Sequence, residues 1–430
     1  MSNFTEKTPY FIFKPKILKK NYEKFEKLCK KYLKKYVIAY SVKTNSFEKV
    51  IETLNSLWGS FEVASLEEID LINKILRIVN IEKNEFNKHQ AEASKNNQAT
   101  TFRYKRLKVN NQNIINNKKH KLIVFNGCCK TKEELKIAIE NKFLINVDSK
   151  SEIDKIAKIL NGEKCEIGLR ISLEESKFGF ELERLEEIIN YCKKNNLKII
   201  CLSFHEGTKL NVNNYKIFIE NADKVIFSIK NKVELKYIDF GGGFPDNFQL
   251  KNLGVGLEDY FKLINKLKKF NLTIILEPGR VLVSDAFDLI TKVNVIKQNF
   301  GKNYAVLDAG INVLSKIVLA NYRFNRLNVD YIKPNKYNVD NSVEDKYVKV
   351  NQTRDDGSSY LELNTDIKNK KNKEYILTGP LLFKNDILGK FFGVLNEGDL
   401  IKIENVGAYC YNLAWEISYE KPKILIDSNT

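Results

Sequence analysis

No apolar run in this chain approaches the roughly 20 residues needed to cross a bilayer, and the opening Met-Ser-Asn-Phe-Thr-Glu-Lys lacks the apolar core of a secretory signal. No membrane partner is therefore expected, and the expected address is the cytoplasm. Histidine is scarce, with three in 430 residues, and the seven cysteines stand singly except for Cys128-Cys129. That odd, scattered set lacks the paired spacing of a disulfide framework or a zinc site. Reduced thiols, most of them in the core, and no metal centre are the expectation. No helix-turn-helix or RNA-binding signature accompanies the formal charge of +17. The basic residues are spread along the chain and mixed with Glu and Asn, which argues for a lysine-rich composition suited to small anionic ligands and against a nucleic-acid partner.

What the chain does have is an ordinary globular composition, 43% hydrophobic and 11% aromatic, over a length that suggests one large and one smaller unit. Short β-rich apolar runs alternate with charged stretches of helical period, the pattern of parallel βαβ units. Eight such runs end near Lys43 (VIAYSVK), Ser65 (SFEVAS), Asn126 (KLIVFNG), Asp148 (LINVDS), Arg170 (CEIGLRIS), His205 (IICLSFHEG), Gly241 (YIDFGGG) and Glu277 (TIILEPGR). Eight parallel strands interleaved with helices close into a (β/α)8 TIM barrel, whose chemistry sits at the C-terminal ends of the strands.

The segments SFEKVIETLNSL, SLEEIDLINKIL, TKEELKIAIE, SEIDKIAKIL, LERLEEIINYCKK and LEDYFKLINKLKK repeat apolar residues every three or four positions and read as outer helices. TPYFIFK reads as a strand, and after Arg280 the runs DLITKVNVI, YAVLDAG, DLIKIENVG and PKILID are β-rich. The expected division is an N-terminal strand and lead-in over 1–29 belonging to a β domain, a barrel over 30–283, and a C-terminal all-β domain over 284–430. Two polar, Asn/Lys-rich stretches, about 80–121 and 333–373, read as surface insertions. The first is expected on the face opposite the chemistry.

Lys43 ends the first run in YSVKTN. Most lysines at strand ends are solvated surface charges, but a partly desolvated amine at a barrel mouth forms a Schiff base with a carbonyl cofactor. Gly241-Gly242-Gly243 follows the seventh run and lets backbone N–H groups approach an anion closely. Pro278-Gly279-Arg280 adds a second small turn and a permanent cation after the eighth, and these two loops are where barrels frequently hold phosphate. His205 sits in FHEGT at the end of the sixth run, with Thr208 following on the loop. Glu277 is either an ordinary ion-paired carboxylate or one that keeps a pyridine nitrogen protonated.

YSVKTN, SFEVAS, IVFNGCCKTKEEL, LRIS with SKFGF, FHEGT, IDFGGGFP, LEPGRVLVSDA, VLDAG, TGPLL and VGAY occur in this order over nearly the whole chain. The set resembles the fold-type-III decarboxylases, which include diaminopimelate and ornithine decarboxylases and share an alanine-racemase-like barrel. TPYFIF and DAGIN look more like the diaminopimelate branch. The resemblance implies pyridoxal 5'-phosphate as cofactor, with Lys43 carrying it, His205 stacking on its ring and Glu277 pairing with the ring nitrogen. It also implies that Thr208, Gly242, Gly243, Gly279, Arg280 and Tyr409 hold the phosphate, and that Arg170 braces the site. A homodimer with a shared active site and an amino-acid substrate follow in the same way, with decarboxylation of meso-diaminopimelate to L-lysine as the expected reaction.

The match breaks on the substrate side. Relatives carry a cysteine and then an acid two positions after Gly-Pro, whereas Gly379-Pro380 is followed by Leu381, Leu382 and Phe383. An Arg-Pro that binds the distal carboxylate appears as Lys316-Ile317, so Lys316, Arg323 and Asp386 are the candidates for substrate binding. Alternatives are a decarboxylase of ornithine, lysine or arginine, a racemase-like enzyme, and a catalytically dead homologue. Against racemisation, alanine racemases place an arginine where Glu277 stands.

Overall fold

The computed structural model describes residues 7–76, 121–205, 207–208, 211–315, 323–327 and 372–427. The Asn/Lys-rich insertions expected at about 80–121 and 333–373 lie outside the described residues except for their last one and last two residues, respectively. Backbone contacts divide the chain into two units, one of Met1–Phe25, Phe244–Leu257 and Gly279–Thr430, the other of Glu26–Gly243 and Glu258–Pro278. Each is described on its own. Among the described residues no helix is long and apolar enough to cross a membrane.

The first strand, β1 (Tyr10–Phe13), belongs to the sheet unit. The second unit is the expected barrel: β2 (Tyr36–Ser41), β3 (Ser60–Val63), β4 (Ile123–Phe125), β5 (Leu144–Val147), β6 (Cys165–Ile171), β7 (Leu197–Phe204), β8 (Tyr237–Asp239) and β9 (Thr273–Leu276) run parallel and close in sequence order. β9 pairs back onto β2 with Ile38 opposite Leu276, so no strand edge is left over. Buried on both faces, the strands read as near-continuous apolar runs. Side chains two residues apart share a face. Ala39, Val124, Leu144, Cys201 and Ile275 thus meet in one apolar cluster, with Val37, Leu122 and Tyr237 partly buried against it.

All six outer helices read from the sequence are present, for example Leu66–Leu76 and Lys150–Leu160. Lys132–Glu140 opens on a capping box, Thr131 accepting from the Glu134 N–H while the Glu134 side chain returns to the Thr131 N–H. Two long helices were not read from the periodicity: Pro15–Tyr32, which follows β1, and Val212–Ile229, capped by Asn211.

β10 (Phe287–Asn299) organises the sheet unit. Its first half pairs with β1 on one side and β15 (Leu400–Glu404) on the other. After a register shift between Val293 and Val295 its second half pairs with β11 (Lys302–Leu307). β11 lies parallel to β13 (Lys373–Thr378), which continues to β14 (Ile387–Gly393); β12 (Arg323–Leu327) flanks β15, and β16 (Lys423–Ile426) runs parallel to β1. This is the expected β domain with the N-terminal strand inside it. Phe244–Leu257 groups with this unit although the sequence placed it within 30–283. The reason is a set of polar contacts: Asn405 donates to Asp246 at 3.2 Å, Asn247 to Asp285 at 2.8 Å and Arg280 to Gln249 at 3.1 Å.

Cys29, Cys192, Cys201 and Cys410 are buried, and no disulfide forms. In the barrel the Lys130 ammonium is buried too, with all three hydrogens placed: on Gly127 O at 2.6 Å, Asn146 O at 2.9 Å and Glu152 Oε2 at 3.0 Å. Lys130→Ala leaves the Glu152 carboxylate buried without its cation, and the expected loss is about 3 to 5 kcal/mol of barrel stability. Urea unfolding followed by circular dichroism reads it, and adding Glu152→Gln should recover part of the loss. A loss under about 1 kcal/mol, the worth of an exposed pair, would show that this pair is not buried in solution.

Candidate active site

The period of two that builds the apolar cluster places a polar layer above it, toward the C-terminal strand ends. One step beyond Ala39, Val124, Leu144, Cys201, Tyr237 and Ile275 stand Ser41, Asn126, Asn146, Ser203, Asp239 and Glu277. Glu62 of β3 joins them. Their hydrogen bonds span the barrel: Asn126 Nδ2 donates to Glu277 Oε1 at 2.7 Å and to Glu62 Oε1 at 3.2 Å, and Asn146 Nδ2 donates to Asp239 Oδ2 at 2.8 Å.

Lys43 lies in a single 3-10 turn, Val42–Thr44, that follows β2. Its Nζ meets both oxygens of Glu62, at 2.7 and 2.6 Å, and Ser41 Oγ donates to Glu62 Oε2 at 2.7 Å. The lysine side chain is 42% exposed while that of Glu62 is wholly enclosed. Burial by itself pushes the Glu62 carboxyl up. The Lys43 ammonium and the hydrogen bonds from Lys43, Ser41 and Asn126 outweigh that and hold it below the usual carboxylate range.

Glu277 follows β9 and goes the other way. Burial first, then the charges of Asp239 and Glu62, push its carboxyl well above the usual range. Asp239, at the end of β8, is raised by burial, with hydrogen bonds from Glu277, the Gly241 N–H and Asn146 working against the rise. Two enclosed carboxyls that interact cannot both ionise cheaply, and the stronger upward push falls on Glu277. The layer thus sets three buried carboxyls against one ammonium.

His205 follows β7 and lies directly against Gly241, where a Cβ would fall 2.1 Å from His205 Nδ1. Gly241 also has φ +57°, so two independent demands exclude a side chain there. At Gly242 a Cβ would fall 2.3 Å from the Glu277 carbonyl oxygen, and Gly243 has φ +81°. Arg170, near the end of β6, reaches Asp148 Oδ1 at 3.3 Å and lies 4.2 Å over the Phe178 ring. Thr208 is exposed on the loop after His205, whose neighbours 206 and 209–210 are outside the described residues.

The barrel unit therefore holds seven of the residues read from the sequence: Lys43, Arg170, His205, Thr208, Gly242, Gly243 and Glu277. In the sheet unit, Gly279 precedes the helical turn Arg280–Val283 and Arg280 is held by Gln249. Tyr409 has φ +65° ahead of the turn Cys410–Leu413. Lys316 and the side chain of Arg323 lie outside the described residues. Of the three substrate-side candidates, Asp386 is the one whose side-chain partners lie among the described residues. Its buried carboxylate accepts from the Ile311 N–H at 2.7 Å and the Leu381 N–H at 2.8 Å, and Gly310 and Gly379 pack on it, so it ties the loop after β13 to the turn after β11.

Glu62, Asn126, Asn146 and Asp239 were not read from the sequence as site residues. Counting back by two from Lys43, Asp148 and Gly241 along each strand reaches the Ser41, Asn146 and Asp239 positions, and that count is the signal that was available.

Residues 111–284 match the family described as pyridoxal-dependent decarboxylase, pyridoxal binding domain. Diaminopimelate decarboxylase of Vibrio cholerae is 24% identical over 449 residues, covering 98% of this chain and 88% of that protein. The structure of diaminopimelate decarboxylase from Helicobacter pylori complexed with L-lysine superposes with a TM-score of 0.71 at 23% identity, covering 98% and 91% of the two chains. Lysine/ornithine decarboxylase from Vibrio vulnificus complexed with cadaverine superposes with a TM-score of 0.70 at 19% identity, covering 98% and 95%. The two superpositions are equivalent and speak to the fold alone. With the closed parallel barrel, the strand-end polar layer and the pyridoxal-binding match taken together, this chain is similar to the fold-type-III pyridoxal-dependent decarboxylases and, in sequence, to diaminopimelate decarboxylases among them.

Proposed function

We propose that this chain binds pyridoxal 5'-phosphate through Lys43 and decarboxylates meso-diaminopimelate to L-lysine, as a cytoplasmic homodimer. The observation that carries the reading is the line Lys43–Glu62–Asn126–Glu277, an amine and a proton-holding carboxyl at opposite ends of one buried hydrogen-bonded array. The residues fit the cofactor. Glu277 needs a cation or an N–H opposite it to ionise, and a pyridine nitrogen is such a partner. The glycines at 241 and 242 leave room only for backbone beside His205 and Glu277.

When bound, the cofactor supplies a conjugated pyridinium that accepts the electron pair left as the α-carboxylate departs. The rest belongs to the chain. Glu62 holds the Lys43 amine in place and takes up its charge. Glu277, once ionised, keeps the ring nitrogen protonated. His205, backed by Gly241, offers a flat face for stacking. Gly242, Gly243 and Thr208 offer N–H and hydroxyl donors to a phosphate, and Arg170 is braced for the same site by Asp148 and Phe178.

A second reading, decarboxylation of ornithine, lysine or arginine, or a racemase-like outcome, is favoured by one feature. Leu382 is fully exposed and Phe383 half exposed where the relatives carry their cysteine and acid, so the loop after Gly379-Pro380 presents apolar groups.

Three measurements test these readings. The purified chain with pyridoxal phosphate should show a visible absorption band, and Lys43→Ala should lose both the band and activity; an unchanged band in the mutant would contradict the Lys43 assignment. Titration with meso-diaminopimelate, lysine, ornithine and arginine while carbon dioxide is followed identifies the substrate. A band that shifts without gas points to the racemase-like outcome. Light scattering should give a dimer, and a fully active monomer would remove that part of the proposal.

The cofactor-free chain has its own pH signature. Glu277 has a raised folded pKa, so its contribution is present below the usual carboxyl value and is lost as pH rises toward the raised one. Glu277→Gln should therefore raise the thermal midpoint of the cofactor-free chain at pH 8 and leave it nearly unchanged at pH 4. Equal shifts at both values would mean that the carboxyl is not proton-bearing in the folded state.

A further inference from the structure

Asn126 and Asn146 do no chemistry in the reading above, yet every carboxyl of the polar layer is bonded to one of them. A carboxamide stays neutral at every pH and offers two N–H donors and one acceptor. Asn126 spends both donors on carboxyls from different strands, Glu62 Oε1 and Glu277 Oε1. Its oxygen accepts from Asn146 Nδ2 at 2.9 Å, and the other Asn146 hydrogen goes to Asp239 Oδ2. The hydrogen bonds thus run Glu62–Asn126–Asn146–Asp239, with Glu277 branching from Asn126.

These bonds fix the orientation of the two amides. Reversing the Asn126 amide would aim its oxygen at two carboxyls and its NH2 at the NH2 of Asn146, losing three hydrogen bonds at once. Asn146 is enclosed, and Gly168 is what makes room for it, since a Cβ there would fall 2.1 Å from Asn146 Oδ1. Asn146 thus sets Asn126, and Asn126 stands as a neutral donor between Glu62 and Glu277. Without that spacer nothing neutral would stand between the two acids, and each would raise the cost of ionising the other.

We propose that Asn126, oriented by Asn146, is a positioning residue that keeps the Lys43-bound carboxyl of Glu62 and the carboxyl of Glu277 as separate acids, leaving Glu277 to exchange its proton with the cofactor ring nitrogen. The proposal rests on the pyridoxal phosphate reading. The titratable groups facing the array from the β2 and β3 side are Lys43, Glu62 and Glu68, the last pushed up to about 7 by burial and the Glu62 charge. From β7 to β9 they are Cys201, His205, Asp239 and Glu277.

The test replaces the spacer by an acid of the same shape. Asn126→Asp puts a third carboxyl between Glu62 and Glu277, so the array must bind an extra proton to hold together. The dissociation constant of pyridoxal phosphate should rise about tenfold or more at pH 8 and much less at pH 6, and the pH midpoint of the visible band should move up by about a unit. Asn126→Ser replaces two amide donors by one short hydroxyl that cannot span both carboxyls, adds no acid, and should weaken binding by a similar factor at both pH values. A merely structural role would lower the thermal midpoint without moving the pH midpoint of the band. Parental affinity in Asn126→Ser, or an Asn126→Asp loss that is equal at pH 6 and pH 8, overturns the proposal. If Asn126→Asp does not fold by circular dichroism, the serine variant decides. A parent chain that gives no band with pyridoxal phosphate removes the cofactor reading, and this proposal with it.

Discussion

Three carboxyls enclosed in a closed barrel against one ammonium set the terms for the rest of this structure. A lone carboxylate in such a place would cost several kcal/mol in desolvation. The barrel avoids that cost with two devices: Lys43 and two further hydrogen-bond donors, Ser41 and Asn126, hold the Glu62 carboxyl low, and burial with mutual charge pushes Asp239 and Glu277 up toward their neutral forms. The apolar cluster beneath keeps water out, which makes each of these interactions stronger than it would be at a surface.

The arrangement also explains why opposite behaviour is found in two glutamates of one layer. Glu62 and Glu277 are equally buried and both accept from Asn126. Only Glu62 has an ammonium beside it. The asymmetry that a cofactor enzyme needs, one carboxylate to manage an amine and one acid awaiting a ring nitrogen, therefore arises from the placement of a single lysine and from a neutral amide that stops the two from merging. A second enclosed ammonium–carboxylate pair, Lys130 and Glu152, stands in the same barrel.

Much of the architecture was legible before any coordinates. The eight apolar runs, their parallel order and the sheet that takes in the N-terminal strand all follow from alternation of period two and period 3.6. Lys43, His205, the glycines at 241 to 243 and Glu277 were legible because they lie at strand ends within short motifs. The helices Pro15–Tyr32 and Val212–Ile229 were passed over, the latter because its polar face, rich in Asn and Lys, resembles the loops on either side of it. At Asp386 the sequence shows only an acid near a departed motif, whereas its two backbone N–H partners come from 75 residues earlier in the chain and from the adjacent turn.

The sequence by itself determined the fold class and the residues that carry charge at the strand ends, since periodicity and turn chemistry are local and survive in a linear reading. Which carboxyl is ionised, which holds a proton and which merely ties a loop was decided by tertiary structure alone. Those properties depend on burial and on partners such as Lys43 and Glu62, Asn126 and Glu277, or Asn146 and Asp239, that lie 19, 151 and 93 residues apart and meet only when the barrel closes.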